Sequence, residues 1–173
     1  FRAAIALRDG VLSEDEAWRV TDARGNLAIA LAQQGKLEEA IERMREVLKI
    51  EEATKGPEHV DTLMSRHNLG LALSRTGAYA EGEAEIAKAI ETGAASGAPT
   101  PLLCDWKENR ALMLDFMDRF DEGEALAREV HACRVEQYGS SHARTAKAAI
   151  LVTQILVDNG DLDAALPWAE RAW

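Results

Sequence analysis

The 173 residues, 47% hydrophobic and 29% charged, are enough to bury a core. The formal net charge of −10 argues against binding to DNA or RNA, because such proteins need a basic surface to displace counterions from phosphates. No apolar run approaches the length that spans a bilayer, and no polybasic segment favours a membrane surface. We therefore expect neither nucleic acid nor membrane as a partner.

Four segments of the chain resemble one another at an almost constant spacing. They begin at Asn26, Asn68, Asn109 and Leu151, so the offsets are 42, 41 and 42 residues. A fixed period of this length indicates a stack of supersecondary units rather than a closed globule around one site.

Each segment reads as a helix, a tight turn and a second helix, since apolar residues recur at helical spacing on both sides of a turn residue. The turn residues are Gly35, Gly77, Asp118 and Gly160. Glycine and aspartate there predict the left-handed backbone that ends one helix before the next begins. A small residue follows five positions later in each segment: Ala40, Gly82, Gly123 and Ala165. These small side chains predict close antiparallel helix pairs.

The predicted boundaries follow this repeat. Residues 1–12 are interpreted as the tail of a preceding helix, and a capping box at 13–16 is expected to start the first repeat. The repeats are predicted at about 13–54, 55–95, 96–137 and 138–173, as one array that is a fragment of a larger protein. His59 and His142 recur in the links and are expected to cap the helices that follow. The small-residue segment 92–101 is predicted to be a mobile loop.

The remaining polar residues suggest no chemistry. Cys104 and Cys133 form no CxxC pair and are predicted to be reduced thiols of a cytoplasmic protein, although the predicted pairing puts both at the same end of one hairpin. No nucleotide, hydrolase or zinc-protease motif is present in the sequence, so we expect no catalysis, no metal and no cofactor.

Two further features concern the surface. Acidic residues cluster on the predicted second helices and are expected to form a solvated outer face, with an acidic patch for a basic partner as the alternative: Glu38, Glu39, Glu42, Glu46, Glu51, Glu52, Glu81, Glu83 and Glu85. Trp168 and Trp173 end the chain on an amphipathic stretch. We expect them to pack against a following repeat of a longer protein and, where that repeat is absent, to be exposed, which would permit self-association through the terminal repeat.

A family resemblance is visible in the second repeat. The segment Asn68-Leu69-Gly70, the turn Gly77, Tyr79 and the link Gly56-Pro57-Glu58-His59-Val60-Asp61-Thr62 resemble tetratricopeptide repeats of the longer-period kind found in kinesin light chains and in many bacterial multidomain proteins. The resemblance implies an all-α fold, a right-handed superhelical solenoid of about four antiparallel helix pairs. Leu151 departs from the pattern where asparagine is expected, and Arg110 departs where a packed leucine is expected.

The resemblance also implies a protein–protein interaction scaffold that binds a peptide or protein segment in a concave groove lined by first helices. The groove residues it implies are Asn26, Gln33, His67, Asn68, Leu71, Arg75, Asn109, Leu112 and Asp115, together with Asp22, Ile29, Met64, Asp105, Lys147 and Gln154. Asparagine amides suit a peptide main chain because they both donate and accept hydrogen bonds.

Other interpretations stay open. The same asparagines could instead brace neighbouring helices, and His67 with Arg75 could bind a carboxylate. The array could also serve as a spacer or self-association surface, or as a regulatory accessory of a bacterial signalling enzyme or transcriptional regulator. Function inferred from fold alone is analogy.

Overall fold

The computed structural model describes the backbone of residues 14–172 and the side chains of residue 21 and residues 23–172. Within this range the chain is entirely helical, without strands: α1 Glu14–Gln33, α2 Leu37–Thr54, α3 Val60–Arg75, α4 Tyr79–Ser96, α5 Thr100–Phe116, α6 Phe120–Tyr138, α7 Ala143–Asp158 and α8 Leu162–Arg171. The all-α prediction is confirmed. The predicted helix tail at 1–12, the cap residue Ser13 and the side chains of Asp22 and Trp173 lie outside the described residues.

The helices divide into two compact units, one ending at Ser96 and the other beginning at Gly97. In the first unit α1 packs on α2, α2 on α3 and α3 on α4; in the second, α5 packs on α6, α6 on α7 and α7 on α8. Each unit has its own apolar cluster, around Ile41, Met44 and Leu73 in the first and around Val152, Ile155 and Trp168 in the second. The prediction of one continuous array stays a prediction.

The predicted turns have the expected backbone. Gly35, Gly77 and Gly160 have φ of 79°, 85° and 82°, and Asp118 is left-handed at 57°. Each turn closes with a hydrogen bond from the next residue's N–H back to the last turn of the preceding helix, as from Ala78 to the carbonyl of Leu73.

Close helix packing at the small residues is also confirmed, and it is tightest in the α3–α4 pair. A Cβ added to Gly82 would lie 2.6 Å from the carbonyl oxygen of Gly70, and one added to Gly70 would lie 2.7 Å from that of Gly82. In the first pair the corresponding residues are Ala28 and Ala40, both 0% exposed. The α3 and α4 backbones therefore meet glycine against glycine, closer than any side chain allows.

Two of the three links between helix pairs have the predicted histidine cap, and the third link differs from its prediction. His59 Nδ1 accepts a hydrogen bond from the Asp61 N–H at 3.2 Å, and His142 Nδ1 accepts one from the Arg144 N–H at 3.1 Å, so each caps the following helix. The prediction of a loop over residues 92–101 is wrong, because α4 continues to Ser96 and α5 begins at Thr100. Alanine-rich sequence sustains α4 until Gly97, whose φ is 79°.

The cysteines contradict the sequence-based expectation. Cys104 on α5 and Cys133 on α6 form a disulfide, with their Cα atoms 6.6 Å apart. The antiparallel pairing of α5 and α6 brings together two residues that are 29 apart in sequence. The prediction of reduced thiols is therefore wrong for this structure.

Not all acidic residues lie on a solvated face. Glu51 and Glu83 are buried, and Glu52 on α2 and Glu85 on α4 both pair with Arg66 of α3, whose side chain is 5% exposed. The Arg66–Glu85 contact measures 2.5 Å. This buried arginine joins three helices of the first unit, so part of the acidic pattern is structural.

Trp168 is also not exposed as predicted. It is 8% exposed and belongs to the apolar cluster of the second unit. The guanidinium groups of Arg171 and Arg128 lie 4.4 and 4.9 Å from its ring centroid, and His131 meets it edge-on at 5.0 Å. Burial and the charge of Arg171 lower the pKa of His131, so the ring packs in its neutral form.

Candidate functional site

A cleft in the first unit runs between α1 and α3 and has α2 as its floor. We call it the first cleft; its volume is about 660 Å³, part of which is open to solvent. Its lining residues are Thr21, Gly25, Asn26 and Ile29 of α1, Val47 and Glu51 of α2, Lys55 of the link, and Asp61, Met64, Ser65 and Asn68 of α3. Asn26 and Asn68, which stand one repeat apart in the sequence, thus share one cleft.

The walls of the first cleft combine amide and apolar groups. Asn26 is exposed and Asn68 is half-buried, and within the described residues neither side chain forms a hydrogen bond. Ile29 and Met64 are 40% and 44% exposed, so their apolar side chains are open to a ligand. Two amides and two apolar side chains are therefore available on facing walls, which is the combination that a bound main chain and its side chains require.

Three charged residues meet at the floor of the first cleft: Glu51 of α2, Lys55 of the link and Asp61 of α3. Lys55 Nζ lies 2.7 Å from Asp61 Oδ2 and 3.3 Å from Glu51 Oε1. Burial alone would lower the pKa of Lys55, but the hydrogen bond to Asp61 and the two carboxylate charges outweigh burial and raise it, so Lys55 is a cation. Glu51 is 6% exposed, and its second oxygen, Oε2, is buried without a hydrogen-bond partner.

The second unit has a comparable cleft between α5 and α7 with α6 below, here called the second cleft, of about 700 Å³. Its lining residues are Asp105, Glu108 and Asn109 of α5, Arg134 of α6, and Arg144 and Lys147 of α7. Arg134 is 2% exposed and bonds to Asp105 and Glu108, while Lys147 pairs with Glu108 at 2.7 Å. Burial would lower the pKa of Arg134, but these carboxylates raise it, so its charge is fixed and neutralised locally.

The predicted groove residues divide into two groups. The three asparagines line the clefts, as do Ile29, Met64, Asp105 and Lys147. Neither cleft is lined by Gln33, His67, Leu71, Arg75, Leu112, Asp115 or Gln154. His67 is buried at 8% exposure, and Arg75 is exposed in the last turn of α3. These placements do not test a binding role for any of them.

Sequence reasoning missed the floor residues, because it assigned all groove positions to first helices. Glu51 and Arg134 both stand 16 residues after the turn residue of their repeat, and Gly93 has that position in the second repeat. A charge at a position where the helix period predicts burial was the available signal.

The described residues contain neither a metal-binding cluster nor a membrane-spanning helix. No group of three or more histidine, cysteine, aspartate or glutamate residues among them is arranged to hold a metal ion. No helix in the described range has the length and apolarity needed to cross a membrane.

Part of the chain matches a known protein family. Residues 19–91 match the family profile described as Tetratricopeptide repeat. A comparison with curated proteins found no match.

Three solved structures share the fold. The crystal structure of BtubC (BKLC) from P. vanneervenii has a TM-score of 0.80 at 17% identity, and the match covers 88% of this chain and 61% of that one. This chain thus spans less than two thirds of BtubC. A kinesin light chain-like protein of Podosopora anserina with nearly identical TPR-like repeats has a TM-score of 0.81 at 21% identity, covering 98% and 80%. A point variant of that protein has a TM-score of 0.79 at 21% identity, and the match covers 87% of this chain and 72% of that one.

Tetratricopeptide repeats generally mediate protein–protein interaction, and their fold is typically non-catalytic. The profile match over residues 19–91, the repeat spacing and these structural neighbours agree: that segment is similar to tetratricopeptide repeats, and the fold is that of kinesin light chain-like repeats.

Proposed function

We propose that this chain binds an extended segment of a partner protein in the first cleft, without catalysis. The carrying observation is that Asn26 and Asn68 line one cleft with their amides uncommitted to other described side chains. Each amide offers two donors and an acceptor, which matches the alternating N–H and C=O groups of an extended main chain. Ile29 and Met64 supply apolar area for side chains of the segment.

The alternative role for these asparagines, bracing neighbouring helices, requires hydrogen bonds to those helices. Asn26 and Asn68 form none within the described residues. A bracing side chain would also be covered by the helices it joins, whereas Asn26 is exposed and Asn68 is only half-buried. The second cleft, with Asn109, is proposed to hold another part of the same kind of segment.

The test is a peptide-display selection against the purified chain, repeated with Asn26→Ala and Asn68→Ala. Enriched peptides should bind these variants at least about tenfold more weakly, the scale expected when one or two hydrogen bonds are lost. Gln34→Ala, at an exposed position just beyond α1, is the matched control and should bind like the parent. Absence of enriched peptides, or equal binding by all variants, would refute the proposal.

A second candidate is self-association through α8. Leu162 and Leu166 on this helix are 64% and 62% exposed, and side chains so placed favour contact with another apolar surface. Sedimentation over a concentration series should then detect dimers that Leu162→Ser with Leu166→Ser abolishes. A monomer at all concentrations would leave peptide binding as the function.

The cellular location of the protein is a separate proposal. The cytoplasmic location stays a prediction, and the Cys104–Cys133 disulfide instead favours an oxidising compartment. A role as regulatory accessory of a signalling enzyme or transcriptional regulator concerns the parent protein and stays a prediction.

A further inference from the structure

The Glu51 carboxylate at the floor of the first cleft is only half satisfied. Its Oε1 accepts from Lys55 Nζ at 3.3 Å, while its buried Oε2 has no partner. Leaving a buried acceptor of a charged group unpaired is costly, since the group has lost water without gaining a donor. Glu51 lines the cleft, so a donor that enters the cleft can supply the missing bond.

The charge of the cleft floor specifies what kind of donor fits. Two carboxylates, Glu51 and Asp61, face one cation, Lys55, which leaves one uncompensated negative charge. A single added cation makes the floor neutral, whereas an anion would add a like charge to a partly buried site. The net charge of −10 for the whole chain also favours encounter with a basic partner.

Glu51 is not a fixed part of the repeat scaffold. The equivalent position is Gly93 in the second repeat and Arg134 in the third, and Arg134 is fully engaged by its carboxylates. The helix pairs therefore form without a carboxylate at this position. Its presence in only the first of these three repeats fits a role in recognition at the first cleft better than a role in folding.

We propose that the first cleft binds a lysine or arginine side chain of the partner segment, with the cationic group donating to Glu51 Oε2 while Asn26 and Asn68 hold the adjacent main chain. This inference depends on the proposed function and narrows it to basic segments. An arginine can donate to Glu51 and Asp61 together through its planar fork, while a lysine would bond one carboxylate at a time.

The experiment uses acetylated, amidated dodecapeptides randomised at every position, so that no terminal amine competes with the side chains. The parent chain should select lysine or arginine at one fixed position. For a selected peptide, Glu51→Gln should weaken binding about tenfold to a hundredfold, as expected for a charge-assisted bond in a partly buried site. Glu42→Gln is the matched control, because it removes the same charge from an exposed position on α2.

A second variant, Lys55→Gln, tests the proposal even if Glu51→Gln does not fold, because its predicted effect on binding has the opposite sign. Lys55→Gln raises the uncompensated negative charge of the floor, so it should tighten binding of the basic peptide. Circular dichroism melting of each variant reports whether the fold is intact.

The outcomes separate the two proposals. The cation site would be refuted, with peptide binding intact, by selected peptides that need Asn26 and Asn68 for binding but carry no basic residue. A loss of binding in Glu51→Gln no larger than that in Glu42→Gln would refute it equally. Failure to select any peptide would refute both proposals.

Discussion

The glycine pair at the α3–α4 crossing gives the sharpest prediction about the fold. In Gly82→Ala the new Cβ would lie 2.6 Å from the carbonyl oxygen of Gly70, about 0.8 Å inside the 3.4 Å at which contact becomes ordinary. The obstacle is backbone, so α3 and α4 must separate. Overpacking of this kind costs about 1–3 kcal/mol, and the gain in helix propensity returns about 0.5–1 kcal/mol. We expect a net loss of about 1–2 kcal/mol.

The equivalent glycine of the third repeat is a matched control for this prediction. In Gly123→Ala the Cβ would lie 3.3 Å from the nearest atom, the carbonyl oxygen of Ala111, so only a small shift is needed. The gain in helix propensity then offsets that shift, and the change should be close to neutral. Urea unfolding followed by circular dichroism measures both variants, and hydrogen exchange locates the effect of Gly82→Ala in α3 and α4. Equal stability of the two variants would refute the argument from backbone proximity.

Three other predictions concern polar and covalent links. Arg66→Met removes the cation between two carboxylates and should cost about 1–3 kcal/mol, visible as a lower Tm; an unchanged Tm would show that the ion pairs contribute nothing. Reduction of the Cys104–Cys133 disulfide frees a loop of 29 residues and should cost about 3–4 kcal/mol in urea unfolding, whereas thiol labelling of the unreduced protein would contradict the disulfide. Burial and nearby Asp158 raise the pKa of Asp115, so stability declines as pH rises from the ordinary value of 3.8 through the raised one. Asp115→Asn should therefore raise Tm at pH 7 but not at pH 3, and a lower Tm at pH 7 would contradict this.

The fold was largely predictable because its signals are local and recur. Each turn residue and the small residue after it act within one hairpin, and the pair recurs four times at a period of 41 or 42 residues. The turn residues are Gly35, Gly77, Asp118 and Gly160. The link over 92–101 was mispredicted because small residues suit both loops and helices, and only Gly97 marks the actual end of α4.

The candidate site was less predictable because it depends on contacts between repeats. Asn26 and Asn68 could be placed on first helices by their spacing, and both do line the first cleft. Glu51 reads in sequence as one more surface glutamate, and only the packing of α1, α2 and α3 shows that it is buried beneath that cleft. The disulfide was missed for a different reason: the predicted pairing put both cysteines at the same end of one hairpin, but the prediction of reduced thiols was made from compartment rules, which carry no information on the distance between two cysteines.

The central claim is that the first cleft receives an extended segment on its asparagine amides. The most direct measurement follows the side-chain amide resonances of Asn26 and Asn68 by ¹⁵N–¹H NMR while a selected peptide is titrated. The account predicts that both amide pairs shift and saturate with the same dissociation constant as binding measured by anisotropy. Saturable binding that leaves both amide pairs unchanged, while resonances of exposed residues on α2 or α4 shift, would contradict it.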